Sequence, residues 1–418
     1  MQDFASDRAA VRGRRRVNEI FLCLLGILLT TCRVPTGLEA KSTRDASTRA
    51  KPQTILQGKI SNPQSSSGRL DRLVVMVIDG LRWQEVFNGP ELDRIRSATE
   101  RVEFDGPNGE IFPNLLRIAR ERGFLIGHDE APIRISSKST VSLPSYSELF
   151  SGRQPSCSNN DCPATRENTF LDDWLAQKEG GKLALISSWS VIPRIAARHV
   201  NRLFVSAGRD HNARFASWFD DQRIHRVYRL GRNADPKPGC DDYRPDNYTA
   251  ELALAVLQAE TPDFLFLGLG DTDEYAHQNR YHDYLKAIRR ADDTIGKIDE
   301  WLQFRESRGE RTLFVVTTDH GRSLNFVDHG GHVEASSIWA LMAGSVVKLR
   351  GTPSFPPKTL SDLAPTFRSL LELNPDRSVT AGRDLMPNIV DEKRRPVMWG
   401  SNKAVVGNSL RSRVVGPG

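Results

Sequence analysis

Six acidic or imidazole side chains and one hydroxyl stand where this chain could do chemistry. Asp79 follows the apolar run Leu73–Ile78. Asp273 and His277 are four residues apart in GDTDEYAH, so one helical turn puts both on one face. Asp319 and His320 follow the run Thr312–Val316. His329 comes nine residues after His320 in VDHGGH, and His332, three further on, competes with it for the same role. Carboxylates mixed with imidazoles suit zinc or another borderline divalent ion, whereas an all-oxygen set would suit calcium or magnesium. Six such ligands exceed the needs of one four-coordinate site. Two metals roughly 4 Å apart fit them better, as in two-metal hydrolysis of phosphate esters. The hydroxyls come from the stretch Ser137, Ser139, Thr140, Ser142 and Ser145. Ser142 lies two residues before Pro144, and proline is tolerated in a first helical turn. A hydroxyl at a helix N-terminus beside metals loses its proton easily and can attack phosphorus or sulfur. Chemistry alone does not separate Ser142 from its neighbours; a helix cap is the other reading.

These residues need elements to hold them. Leu73–Ile78, Leu183–Ile186, Phe264–Leu267 and Thr312–Val316 are continuous apolar runs without alternation. Such runs belong to strands buried on both faces of a parallel sheet. Tyr284, Ile288, Ala291, Ile295, Ile298 and Leu302 recur near the helical period and predict a long amphipathic helix. Strands alternating with helices give the α/β class, a doubly wound, mostly parallel sheet sandwiched by helices. Ligands bind such sheets outside the carboxyl ends of the strands. Asp79, the Asp271–Asp273 group and Asp319-His320 all follow apolar runs, so they are expected on one rim.

The segments VVMVIDGLRW, SLPSYSELFSG, DTDEYAH, VVTTDHGRS and VDHGG resemble the alkaline phosphatase superfamily. The likeness is to its type I phosphodiesterase/nucleotide pyrophosphatase and sulfatase-like metalloenzyme branch. The five motifs run in the family's order, and a closing SDLAPTFRSLLELNP…GRDLMP resembles its C-terminal helix and tail, so the resemblance covers residues 72–388. It implies an alkaline-phosphatase-like fold and a site with two divalent metal ions, zinc first and manganese second. Asp79, Ser142, Asp319 and His320 would hold one metal; Asp273, His277 and His329 the other. Ser142 would be the nucleophile and form a covalent phospho-enzyme that water then hydrolyses. The implied substrate is a small-molecule phosphate ester, with monoester and diester both open. Phosphodiesterase relatives carry Thr at the nucleophile and Asn after the proline; here these are Ser142 and Ser145, so a phosphate-binding amide is missing. The sulfatase signature C/S-x-P-S-R is approached, but Tyr146 replaces its arginine and no cysteine is present to mature to formylglycine. Ala276 stands for the family glycine in DxxGH, and Arg153, Arg280 and Arg322 are candidate phosphate clamps. The alternatives are a sulfatase-like or phosphonate-type hydrolase on the same site, or a non-catalytic binding protein on the same scaffold.

Composition bounds the rest. The chain has 418 residues, 39% of them hydrophobic and 26% charged, enough for a sizeable core and unlike a disordered or coiled-coil chain. A formal net charge of +6 is small for this length, and much of the excess lies in Arg12 and Arg14–Arg16 at one end and Lys393–Arg395, Arg411 and Arg413 at the other. Nucleic-acid recognition is therefore not expected. RGRRR followed by the apolar run Ile20–Leu29 and the exit Leu38-Glu39-Ala40 reads as a secretory signal over residues 1–40. An uncleaved anchor, or a lipoprotein tether at Cys32 in a lipobox-like LTTC, are the alternatives. Residues 41–70 read as a flexible polar linker, 71–388 as one hydrolase domain and 389–418 as a tail. Export places the protein in the periplasm or outside the cell, where Cys157 and Cys162 can close a small disulfide loop and Cys240 is left over.

Overall fold

The computed structural model describes residues 69–96, 111–178, 180–209, 219–373 and 382–385. The expected signal segment, the linker up to residue 68, the C-terminal tail and the last part of the GRDLMP motif lie outside the described residues. So do the basic residues at the two ends.

The four apolar runs are strands. They are β1 (Arg72–Ile78), β4 (Leu183–Ser187), β6 (Phe264–Leu269) and β7 (Thr312–Thr317). Three further strands complete a seven-stranded sheet: β2 (Gly123–Ile126), β5 (Phe204–Ala207) and β9 (Ala340–Ala343). The order across the sheet is β2-β9-β7-β1-β6-β4-β5. Only β9 runs against the rest: it is antiparallel to both β7 and β2, and every other pair in the sheet is parallel. The fold is thus the expected mostly parallel α/β sandwich. The sequence reading did not contain the three added strands. They are short, and ALMA has neither the alternation nor the β-branched residues that mark a strand.

Period-two geometry sends alternate residues of one strand to opposite faces. On β1, Leu73, Val75 and Val77 enter one core, while Val74, Met76 and Ile78 enter the other. On β6 the same split places Phe264 and Phe266 opposite Leu265, Leu267 and Leu269. Both faces are covered, which is why polar residues in these strands are confined to their ends. Helices Ser142–Ser151, Phe170–Gln177 and Leu363–Leu370 pack on the first face. Helices Pro113–Glu121, Asp246–Glu260 and Tyr281–Glu306 pack on the second. The last is the predicted amphipathic helix, and all six residues of its stripe are buried. Among the described residues no helix is long and apolar enough to cross a membrane.

A second, three-stranded sheet orders β10 (Lys358–Thr359), β3 (Ile133–Arg134) and β8 (Ser337–Ile338) as β10-β3-β8. Strand β3 leads directly into the hydroxyl-rich stretch. The central three strands of the large sheet, β7, β1 and β6, are aligned so that Val77 pairs with Thr317 and Ile78 with Leu269. Their carboxyl ends therefore share one edge, and the residues that follow them meet there.

Leu267 on β6 is wholly buried in the second core. Leu267→Ala should lower unfolding free energy by about 2–5 kcal/mol, because the cavity adds to the lost transfer energy. Urea unfolding measures this; a loss below about 1 kcal/mol would contradict the packing of this layer.

Candidate metal centre

Each chemical group is delivered by the end of an element. Asp79 follows β1, and its backbone N–H donates to Leu269 O at 2.9 Å. Gly80 comes next at φ +63°, and a Cβ there would collide with the Asp273 carboxylate and the Arg322 guanidinium. Only glycine lets the chain turn this close to the site. Asp273 and His277 sit on the Asp271–His277 helix after β6. Asp319 and His320 follow β7, and Gly80 N–H donates to Asp319 Oδ1 at 3.1 Å. Ser142 is the first residue of the Ser142–Ser151 helix, and Pro144 is accommodated in its first turn.

All seven residues come together. Ser142 Oγ lies 3.1 Å from His320 Nε2 and 3.4 Å from Asp79 Oδ1. His320 Nε2 is 3.5 Å from Asp79 Oδ1 and 3.4 Å from Asp319 Oδ2. His277 Nε2 is 3.1 Å from Asp273 Oδ2 and 3.1 Å from His329 Nε2. His329 Nε2 is 4.0 Å from Asp273 Oδ1, and its ring stacks on His320 with centroids 3.9 Å apart. His332 is exposed and stays outside this cluster. Two overlapping donor groups emerge, Asp79/Asp319/His320 and Asp273/His320/His329, so His320 stands between them.

Asp79 and Asp319 have no arginine or lysine paired with them among the described residues; the one guanidinium at the cluster, Arg322, is held by Asp273. His320 Nδ1 donates to Gly321 O at 2.9 Å and His329 Nδ1 donates to Thr140 O at 2.7 Å. Those bonds turn both Nε2 lone pairs inward. Burial pushes the His320 imidazole down to about 4, and burial with the neighbouring His320 pushes His329 down to about 3, so both are neutral at ordinary pH. Burial, then the charges of Asp319 and Asp273, hold the Asp79 carboxyl well above the usual range. Burial and Asp273 push Asp319 up to about 6. For Asp273 burial acts the same way, but His277 and Arg322 outweigh it and hold the carboxyl well below its usual value. Asp319 Oδ2 is buried with no hydrogen-bond donor. Lone pairs of carboxylates and imidazoles thus face one another across a few ångströms in a buried site. A divalent cation satisfies that set, and the mixed oxygen and nitrogen donors are those of a borderline metal.

The nearest hydroxyls and cations have defined tasks. Tyr146 OH, at the sulfatase arginine position, donates to Asp79 Oδ2 at 3.1 Å. Ser145 donates to Val141 O at 3.1 Å within its own helix, away from the cluster. Arg322 is buried and binds Asp273 together with Phe326 O and Val327 O. Arg153 pairs with Glu167, and Arg280 with Asp283. None of the three is an unengaged clamp.

Two contributors escaped the sequence reading. Asn160 Oδ1 accepts the Leu143 N–H at 3.0 Å, so a carboxamide stands beside the amide that follows Ser142. Glu148, fully buried on the Ser142 helix, accepts from Ser136 N at 2.8 Å, Ser137 N at 3.3 Å and Ser361 N at 2.9 Å. It ties the loop that precedes Ser142 to the helix that begins with it. An interrupted pattern gave warning only of Glu148, an acid amid the apolar residues of SLPSYSELFSG. Nothing near Asn160 marked it, because its partner is distant in sequence.

Residues 241–374 match the family model described as "Metalloenzyme superfamily". A 2,3-bisphosphoglycerate-independent phosphoglycerate mutase of Aliivibrio fischeri is 25% identical over 219 residues, covering 50% of this chain and 37% of the mutase. The chain thus spans little more than a third of that curated relative. Among solved structures, a wild-type alkaline phosphatase aligns with TM-score 0.49 and 13% identity over 78% of this chain and 100% of its own. A 2-O GAG sulfatase aligns with TM-score 0.48 and 13% identity over 79% of this chain and 76% of its own.

Burial pushes the Glu148 carboxyl up from 4.5 to about 7, against the three amides that lower it. The unfolded chain loses this proton near 4.5 while the folded one keeps it to about 7, so folding binds a proton in that window. Stability from this group is therefore highest below pH 4.5, falls as pH rises to about 7, and is level above. Glu148→Gln should remove that fall. Denaturation midpoints across the window should show wild type losing ground to the variant as pH rises; a constant gap would refute the assignment.

Proposed function

As a member of the alkaline-phosphatase-like metalloenzyme superfamily, the chain is, we propose, an exported hydrolase of phosphate esters that works with two divalent metal ions and Ser142 as nucleophile. The observation that carries this reading is the meeting of the Ser142 hydroxyl with Asp79 and the His320 lone pair at the end of three adjacent strands. A helix-cap serine has no need of such company. Asp79, Asp319, His320 and Ser142 would hold one ion, and Asp273, His277 and His329 the other; zinc is the first candidate by donor chemistry. When bound, the ions supply Lewis acidity, lowering the proton affinity of an oxygen ligand and neutralising phosphoryl charge.

The chain's own groups do the rest. Ser142 Oγ lies 3.4 Å from Asp79 Oδ1, a carboxylate oxygen within reach of its proton. Its position at a helix start adds the partial positive charge of the helix dipole to the reacting centre. Attack by Oγ forms the Ser142–phosphorus bond as the ester oxygen leaves with its electron pair. Water then attacks phosphorus, the Ser142–phosphorus bond breaks, and phosphate departs. With its Oδ1 taken by the Leu143 N–H, Asn160 keeps its Nδ2 hydrogens as donors for a non-bridging oxygen, in the role left vacant at Ser145. Tyr146 keeps Asp79 oriented. The Cys157–Cys162 disulfide supports an oxidising compartment.

Elemental analysis of protein purified without chelator should find near two zinc or manganese ions per chain. Asp319→Asn should lower that content, and metal-free preparations that cannot be reconstituted would count against the ligand set. Ser142→Ala should keep its metal yet lose turnover of p-nitrophenyl phosphate or its bis-ester by about a thousandfold or more. Retained turnover in that variant rules out the nucleophile. Preference for an aryl sulfate would move the reading to a sulfatase-like enzyme, and no turnover at any metal loading would favour a binding protein.

A further inference from the structure

We propose that the Cys157–Cys162 disulfide is a positioning device for Asn160, so that the redox state of this bond sets the affinity of the site for its anionic substrate. The proposal rests on the reading of Ser142 as nucleophile. The bond joins cysteines five residues apart and closes a ring around Ser158, Asn159, Asn160 and Asp161. One foot of the ring is fixed: Cys162 is 1% exposed within the first core, and Arg194 Nη1 donates to its carbonyl at 3.2 Å. The other foot, Cys157, is half-buried against the same core. The tip between them is exposed. Within the tip, Asn159 Oδ1 accepts the Asp161 N–H at 3.0 Å and shapes a local turn.

From that tip Asn160 reaches across seventeen residues to Leu143 N–H. With its Oδ1 engaged there, its two Nδ2 hydrogens stand beside the residue that follows Ser142. One hydrogen bond from an exposed loop competes with water and holds a side chain weakly on its own. A covalent ring with a buried foot supplies the missing constraint. Closing so short a ring restricts the unfolded chain less than a long loop would, which leaves local geometry as its main effect. Reduction by a dithiol breaks the S–S bond and puts one electron and one proton on each sulfur. The dithiol is oxidised to its own disulfide.

The test is a cycle on the full, metal-loaded chain: wild type, Cys157→Ser/Cys162→Ser, Asn160→Ala and the triple variant. Steady-state constants for p-nitrophenyl phosphate and the inhibition constant of orthophosphate are read for each. Wild type is also read after dithiothreitol, with metal content and melting temperature checked throughout. Opening the ring, by mutation or by reduction, should raise KM and the orthophosphate constant by about tenfold or more, with metal content unchanged. In the Asn160→Ala background, opening the ring should add nothing. An equal further loss there means the disulfide acts by another route, and constants indifferent to the ring in wild type overturn the proposal alone. Oxidised wild type that neither turns over nor binds orthophosphate removes the reading of the site and this proposal with it.

Discussion

Three carboxylates and two imidazole lone pairs facing one another, all buried but the half-buried Asp273, are the constraint on which the rest of the architecture depends. Asp79, Asp273 and Asp319 cannot all be ionised in that volume unless positive charge is brought in. In the protein alone the strain is relieved unevenly. Asp273 takes the negative charge beside Arg322 and His277, while Asp79 and Asp319 are driven towards the neutral form. Such a cluster costs stability by itself, and a bound divalent cation would reverse the sign of the whole set. A core selected only for folding would have filled this point with apolar side chains.

The scaffold withstands that repulsion through the sheet beneath it. Strands β7, β1 and β6 are adjacent and parallel, so their ends are held in register by backbone hydrogen bonds. Apolar layers on both faces leave these strands no freedom to splay. The residues after the strands then need only short turns to reach one another, and at Gly80 the Asp273 carboxylate comes so near that a Cβ would not fit.

The nucleophile side is built differently. Ser142 comes from a helix on the first face, reached through the small sheet and a loop of hydroxyl residues. That loop has little apolar content of its own and is fixed from behind by Glu148 and from the front by Thr140, whose carbonyl accepts from His329. Thus the loop that presents the attacking hydroxyl also orients a metal-ligand candidate. The disulfide loop adds a third support, at Leu143. Position in this half of the site comes from polar contacts between segments distant in sequence.

That difference explains what could be read in advance. Buried parallel strands need unbroken apolar runs, and polar residues at their ends stand out. So β1, β4, β6, β7, the long helix and the rim with Asp79, Asp273, Asp319 and His320 were legible from residue order. His277 followed from its four-residue spacing to Asp273, while Ser142 and His329 were picked out with the help of family motifs. Tertiary structure alone decided that His320 stands between two donor groups, that Arg322 is bound to Asp273, and that Asn160 and Glu148 serve the Ser142 helix. The physical reason is range. Hydrophobic periodicity is a local property of the chain, whereas a hydrogen bond between Asn160 and Leu143, or between Glu148 and Ser361, exists only after the core has brought its partners together.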